Sequence, residues 1–188
     1  MEYNEFMNYG GIKNYDIANG PGVRVTLFVS GCPHHCEGCF NPETWAFDYG
    51  QPFTEKTQEE VLRLLGNTPI AGLTLLGGEP MVPPNQEALL PLLREAKARY
   101  PKKDIWCFTG YLFDRDICDQ MLKQYDFTRE FLSYIDILVD GPFVPAQKSL
   151  LLKFKGSANQ RIIMVRESLE TGEIVRWPKE ERERAGTA

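Results

Sequence analysis

Apolar positions in this chain fall into short runs with two spacings. Val23-Arg24-Val25-Thr26-Leu27-Phe28-Val29 is β-branched and aromatic and follows Gly20-Pro21-Gly22, so it reads as a strand after a turn. Ile70-Ala71-Gly72-Leu73-Thr74-Leu75-Leu76 is a continuous apolar run bounded by turn residues, consistent with a buried parallel strand, and it ends in Gly77-Gly78-Glu79-Pro80. Residues 104–108 read as a third strand ending at Thr109-Gly110, and 135–139 as a fourth ending at Asp140-Gly141-Pro142-Phe143. A long loop then leads through Gly156-Ser157-Ala158-Asn159-Gln160-Arg161 to a strand over 162–165.

Between the strands the spacing widens to three and four. Leu89, Leu92, Leu93, Ala96 and Tyr100 predict a helix over 85–100, in which Pro91 marks a start or a bend. Thr57 with Glu60 offers a capping box for a helix to about residue 65. Two further helical stretches cover 114–123 and 128–134, whereas residues 1–19 read as a polar, aromatic-studded lead-in without an element. Strand–helix alternation argues a parallel sheet with crossover helices. Four or five strands are too few for a closed eight-stranded barrel. The expected fold is therefore α/β: a single-domain partial β/α barrel over residues 1–178, with a curved parallel sheet and outer helices, and a charged, flexible tail over 179–188. In that arrangement the C-terminal strand ends share one rim.

The first strand runs directly into Ser30-Gly31-Cys32-Pro33-His34-His35-Cys36-Glu37-Gly38-Cys39-Phe40-Asn41. Three thiolates spaced C-x3-C-x2-C surround one compact thing, a metal ion or an iron–sulfur cluster. A cubane held by three local ligands keeps one iron open, the mark of a reactive site. Cys32, Cys36 and Cys39 with one of the two histidines also fit a Cys3His zinc knuckle, although structural zinc usually draws two separated pairs. Both readings stand on spacing alone.

Composition narrows the setting. At 188 residues the chain supports one well-buried core. Lys and Arg number 21 against 26 Asp and Glu, a formal net charge of −5, so no general affinity for nucleic acid or an anionic membrane is expected. Five cysteines, three of them in one loop, suit a reducing compartment. No apolar stretch near the N-terminus resembles a signal peptide, and no run approaches the ~20 residues of a membrane span. The expected location is cytoplasmic. Cys107, in an apolar strand, and Cys118, in a helix, read as core or half-buried thiols.

The cysteine loop after a first strand and Gly-Gly-Glu-Pro after a second resemble the radical S-adenosylmethionine superfamily. Asn19-Gly20-Pro21-Gly22-Val23-Arg24 and Cys39-Phe40-Asn41-Pro42-Glu43-Thr44-Trp45 are similar to the G-P-G-x-R and C-x-N-x-x-T-W signatures of its glycyl-radical-enzyme activating branch. Within that branch, Val139-Asp140-Gly141-Pro142-Phe143 and the 156–161 segment most resemble activators of anaerobic (class III) ribonucleotide reductase. One departure is Pro142, where relatives often carry a basic residue.

The resemblance implies one [4Fe–4S] cluster per chain on Cys32, Cys36 and Cys39, its fourth iron chelated by S-adenosylmethionine. It implies cofactor contacts from Gly38, Cys39, Phe40, Gly77, Gly78, Glu79, Pro80, Thr109 and Asp140. Arg24, Asn41, Trp45 and Arg161 become candidate substrate contacts, although an arginine at a strand end is more often part of a structural pair. No catalytic residue beyond the cluster is implied. The implied reaction is reductive cleavage to methionine and a 5′-deoxyadenosyl radical, which takes hydrogen from a glycine of the reductase large subunit. The implied electron donor is a flavodoxin or ferredoxin. Two other functions remain open: a radical enzyme acting on a small molecule, such as a deazapurine synthase, and a zinc-knuckle interaction module without catalysis.

Overall fold

The computed structural model describes residues 7–177, so the charged segment 179–188 and the first six positions of the lead-in lie outside the described residues. In chain order the elements are β1 (Asn8–Asp16), β2 (Val23–Val29), β3 (Gln51–Pro52), α1 (Glu55–Leu65), β4 (Ile70–Gly77), α2 (Pro83–Arg99) and β5 (Asp104–Phe108). A π-helical stretch (Phe113–Met121) then runs into α3 (Leu122–Gln124) and is followed by α4 (Asp126–Tyr134), β6 (Ile137–Asp140), β7 (Arg161–Met164) and α5 (Val165–Thr171). The strands form one sheet in the order β3-β1-β2-β4-β5-β6-β7. Its centre, β2-β4-β5-β6, is parallel, joined by α1, α2 and the helices after β5. β1 and β3 on one side and β7 on the other run antiparallel, so the sheet is mixed rather than wholly parallel.

β1 is the element the lead-in concealed. Its burial does not alternate cleanly, it contains Gly10 and Gly11, and its pairing with β2 slips in register between Tyr9 and Gly11 and between Lys13 and Asp16. Pairing with the open edge of β2 makes the strand, and tertiary context outweighs propensity here. Other boundaries shift for local reasons. α1 starts earlier than expected: Thr54 is the cap, and Thr57, not Glu60, closes the reciprocal box through its hydroxyl. α2 begins at Pro83-Pro84, where missing N–H groups cost nothing, and continues through Pro91.

Side chains alternate between the two faces of the strands. Val25, Leu27, Leu73, Leu75, Ile105 and Leu138 join Val61, Leu62, Leu89, Leu93, Phe131 and Leu132 of the helices in the main core. Cys107 is buried there and Cys118 packs against it, and burial pushes both thiols up. The other face carries Thr26 and Thr74 and a smaller cluster of Trp106, Ile137, Val139 and Ile162, covered by Phe154 and Trp177. Among the described residues, no helix is long and apolar enough to cross a membrane.

Arg24 sits within that second face, not on a rim. Its side chain is fully buried, donates to Thr74 Oγ1 (2.7 Å) and Leu73 O (2.9 Å), and pairs with Asp104 at 2.6 Å. Gly72 makes this possible, since a Cβ there would lie 2.1 Å from Asp104 O. Arg24 thus forms the structural pair that an arginine at a strand end most often makes.

Candidate functional site

The loop after β2 is held from three directions before any of its side chains acts. Gly31, at φ +91°, donates its N–H to Thr44 O (2.8 Å), and Cys32 N donates to Trp45 O (3.0 Å). Those acceptors belong to a 3-10 turn, Pro42–Trp45, closed by Thr44 Oγ1 donating to Asn41 O (2.7 Å). The N-x-x-T-W segment therefore works first as a backbone clamp on the cysteine loop. From β4, Gly78 N donates to Val29 O (2.7 Å) and Glu79 N to Gly31 O (2.8 Å). From α2, the buried Asn85 side chain donates to Ser30 O (2.9 Å) and Glu79 O (3.0 Å). The sequence reading missed Asn85; its signal is an amide in the first turn of a helix that follows the Gly77-Gly78-Glu79-Pro80 turn.

Seated this way, Cys32, Cys36 and Cys39 are half-buried and face one cavity of about 470 Å³. Gly77, Gly78, Glu79 and Thr109 line the same cavity, as do Phe40, Asn41 and Trp45 of the cysteine loop and its clamp. Phe143, Leu152, Phe154 and Gly156 also line the cavity; Phe143 and Gly156 belong to motifs on which the resemblance rests, whereas the sequence did not single out Leu152 and Phe154. Ala18 and Asn19, in the turn between β1 and β2, close one end. Asp16 pins that turn, accepting from Thr26 Oγ1 at 2.7 Å and from Ala18 N at 3.1 Å.

Four other expected contacts lie elsewhere. Asp140 is fully buried, accepts from Phe113 N (2.8 Å) and is paired with Arg161, which also pairs with Asp114 at 2.9 Å. Asp140 and Arg161 therefore neutralise one another beside the site and do not line the cavity. Pro80 is buried behind the wall. Gly38, at φ +67°, is exposed next to Pro145 and Phe143, outside the lining.

Glu79 organises the wall behind the cysteines. Only 1% exposed, its carboxylate accepts from Met81 N (2.9 Å) and Gly110 N (2.8 Å) and meets His34 Nε2 at 2.8 Å. One side chain thus joins β4, the end of β5 and the cysteine loop. His34, which lines the cavity with the cysteines, packs edge-on against Tyr111, and His35 packs on Trp45. Glu79→Ala would leave two buried N–H groups unpaired, each costing about 1–3 kcal/mol. The expected result is a lower urea midpoint and reduced iron after anaerobic reconstitution, with Glu79→Gln intermediate because its amide oxygen still accepts.

The donor set fits an iron–sulfur cluster. Three thiols, Cys32, Cys36 and Cys39, line one cavity, and cysteine thiolates are the ligands that iron–sulfur clusters take. Burial, with a further contribution from the Glu79 charge, pushes the Cys32 thiol up to about 11, so its thiolate form needs a cationic partner. Among the described residues the buried Trp45 Nε1 has no acceptor, and Trp45 lines the cavity. The volume lies within the range of small-molecule cofactor sites.

Comparison with known proteins narrows the class and then the family. Residues 18–163 match the 4Fe-4S single cluster domain, which makes this an iron–sulfur protein of the single-cluster kind. An anaerobic ribonucleoside-triphosphate reductase-activating protein of Enterobacteria phage T4 is 45% identical over 158 residues, covering 83% of this chain and 93% of the relative. Proteins of the same description from Vibrio cholerae and Escherichia coli K12 are 44% and 42% identical, covering 83% and 82% of this chain and 97% and 96% of their own lengths. The chain belongs to the family of anaerobic ribonucleoside-triphosphate reductase-activating proteins.

Proposed function

We propose that this protein is a radical S-adenosylmethionine enzyme that installs a glycyl radical on the large subunit of an anaerobic ribonucleotide reductase. The observation that carries this reading is the convergence of Cys32, Cys36 and Cys39 on one cofactor-sized cavity beside Gly77 and Gly78. When bound there, a [4Fe–4S] cluster and S-adenosylmethionine supply one-electron cleavage of a sulfonium C–S bond, the source of hydrogen-abstracting power.

The chain's residues bind, orient and exclude. Cys32, Cys36 and Cys39 would hold the cluster, and the cavity beside them would take S-adenosylmethionine. Gly77 and Gly78 present bare backbone to that cavity, since no side chain stands in the way. Phe40 packs at a tilt against Phe143 (centroids 5.0 Å apart), and both line the cavity as an apolar wall that keeps water from the reacting atoms. Electrons come from a small donor protein such as a flavodoxin or ferredoxin. The mouth is finished by the glycine loop of the partner, so binding and chemistry are coupled.

The test is to incubate the reconstituted protein with reductant, S-adenosylmethionine and the reductase subunit without oxygen. A glycyl radical doublet is expected by paramagnetic resonance, and it should vanish when the partner's radical glycine is replaced by alanine. Accumulation of 5′-deoxyadenosine with no protein radical would overturn this reading in favour of a small-molecule substrate.

A further inference from the structure

The antiparallel ladder between β6 and β7 ends at Asp140 and Arg161, and a side chain takes over at the next position. Gly141 turns away at φ +96°, and its carbonyl accepts from Gln160 Nε2 at 2.9 Å. The same amide accepts through Oε1 from Gly156 N (2.7 Å) and Ser157 N (3.1 Å). Two acceptor bonds and one donor bond from one planar group call for a carboxamide; a carboxylate lacks the donor and an ammonium the acceptor. Gln160 also lines the cavity, so this clamp sits in the wall of the site.

The clamp fixes how closely Gly156 approaches the cysteine loop. A Cβ at Gly156 would lie 3.0 Å from Phe143, 3.2 Å from Phe40 and 3.4 Å from Gln160 Oε1, so the turn is wedged between two rings and the amide. Phe40 follows Cys39 directly, and Phe40, Phe143 and Gly156 all line the cavity. The segment does not take this course unaided. Phe154, two residues earlier, stands at φ +56°, a left-handed conformation that is costly for an aromatic residue. Two other side-chain bonds close the same seam, Ser157 Oγ accepting from Val144 N (3.1 Å) and Asn159 Nδ2 donating to Pro142 O (2.8 Å). Neither of those two side chains belongs to the cavity lining.

We infer that Gln160 is a positioning residue for S-adenosylmethionine, acting through Gly156 and Phe40 to fix the width of the cavity that takes the cofactor. This rests on the proposed function. The cysteine loop is set by backbone bonds from Gly78, Glu79, Thr44 and Trp45, whereas the N–H groups of Gly156 and Ser157 both end on this one amide. Without it, the 156–157 turn is released from the end of β6, and the packing of Gly156 on Phe40 and Phe143 goes with it. A cavity wall that gives way loosens the bound geometry and admits water, and both weaken the hold on a reactant.

The experiment compares wild type with three variants. Gln160→Met keeps the length and loses the amide, Gln160→Glu keeps the acceptors and loses the donor, and Asn159→Ala removes a bond of the same seam outside the cavity lining. In protein without cluster or cofactor, deuterium exchange of the Gly156 and Ser157 amides should quicken about tenfold in Gln160→Met and stay near wild type in Gln160→Glu. After anaerobic reconstitution, iron content and the paramagnetic resonance of the reduced cluster alone should match wild type in all three. The Kd for S-adenosylmethionine, titrated through its effect on that resonance, should rise about tenfold in both Gln160 variants and stay within about twofold in Asn159→Ala. Wild-type exchange or wild-type affinity in Gln160→Met would overturn the inference. So would an equal loss of affinity in Asn159→Ala, or a loss of iron that accounts for the weaker binding, since either makes the seam a general support. A wild-type cluster whose resonance does not respond to S-adenosylmethionine would instead remove the proposed function, and this inference with it.

Discussion

Cys36→Ala, reconstituted without oxygen, is expected to retain little iron or sulfide and to form no detectable 5′-deoxyadenosine, and Cys32→Ala and Cys39→Ala should behave alike. The three thiols reach one cavity from a loop whose backbone is fixed by Thr44, Trp45 and Glu79, so no neighbouring group can swing in to replace a lost ligand. Cys107 and Cys118 are the internal controls. Both lie in or against the main core, away from the cavity lining, and their replacement by alanine should leave iron content near wild type while costing some stability. Iron and sulfide assays with paramagnetic resonance of the reduced protein make the measurement. Stoichiometric zinc that disappears in Cys36→Ala would point to a zinc knuckle instead.

Gly78→Val should be nearly as damaging, and more broadly than a cofactor contact alone would explain. A Cβ at Gly78 would lie 2.7 Å from Gly31 O and 3.0 Å from both Gly31 N and Thr44 O. All three are backbone atoms of the cysteine-loop seat, and a branched side chain has nowhere to go. The expected loss is about 3 kcal/mol in urea unfolding, with poor cluster incorporation and weak S-adenosylmethionine binding together. Gly11→Ala is the control: a Cβ there meets nothing within 4 Å, and stability should stay within about 0.5 kcal/mol. Full cluster content in Gly78→Val would mean that the seat deforms more easily than its geometry implies.

What could be read from the chain followed from how local the determinants were. The four central strands are continuous apolar runs, and the cysteine loop, Gly77-Gly78 and Thr109 follow directly at their ends, so both the strands and the wall they build were legible. β1 was not, because its glycines and irregular burial carry no period and its partner supplies the pairing. Asp140 entered the contacts through the resemblance, and Arg24 and Arg161 were weighed between substrate contact and structural pair. The pairing of Asp140 with Arg161 across β6 and β7 is a matter of register, which no single segment discloses. The partners of Arg24 likewise come from β4 and the start of β5. Leu152 and Phe154 went unnoticed as wall residues because a long loop has no periodicity to show which side chains turn inward.

The short outer strands also bear on how this protein can be recognised. At one border β3 is two residues long, and at the other the outer edge of β7 is already taken: Met164 N donates to Val175 O (2.9 Å) and Trp177 N to Ile162 O (2.9 Å). At the β7 border the sheet therefore offers little unpaired backbone, whereas among the described residues β3 covers only Asn8 and Tyr9 of β1. Association through a backbone ladder thus has no template at β7, where selectivity must come from side chains carried on loops.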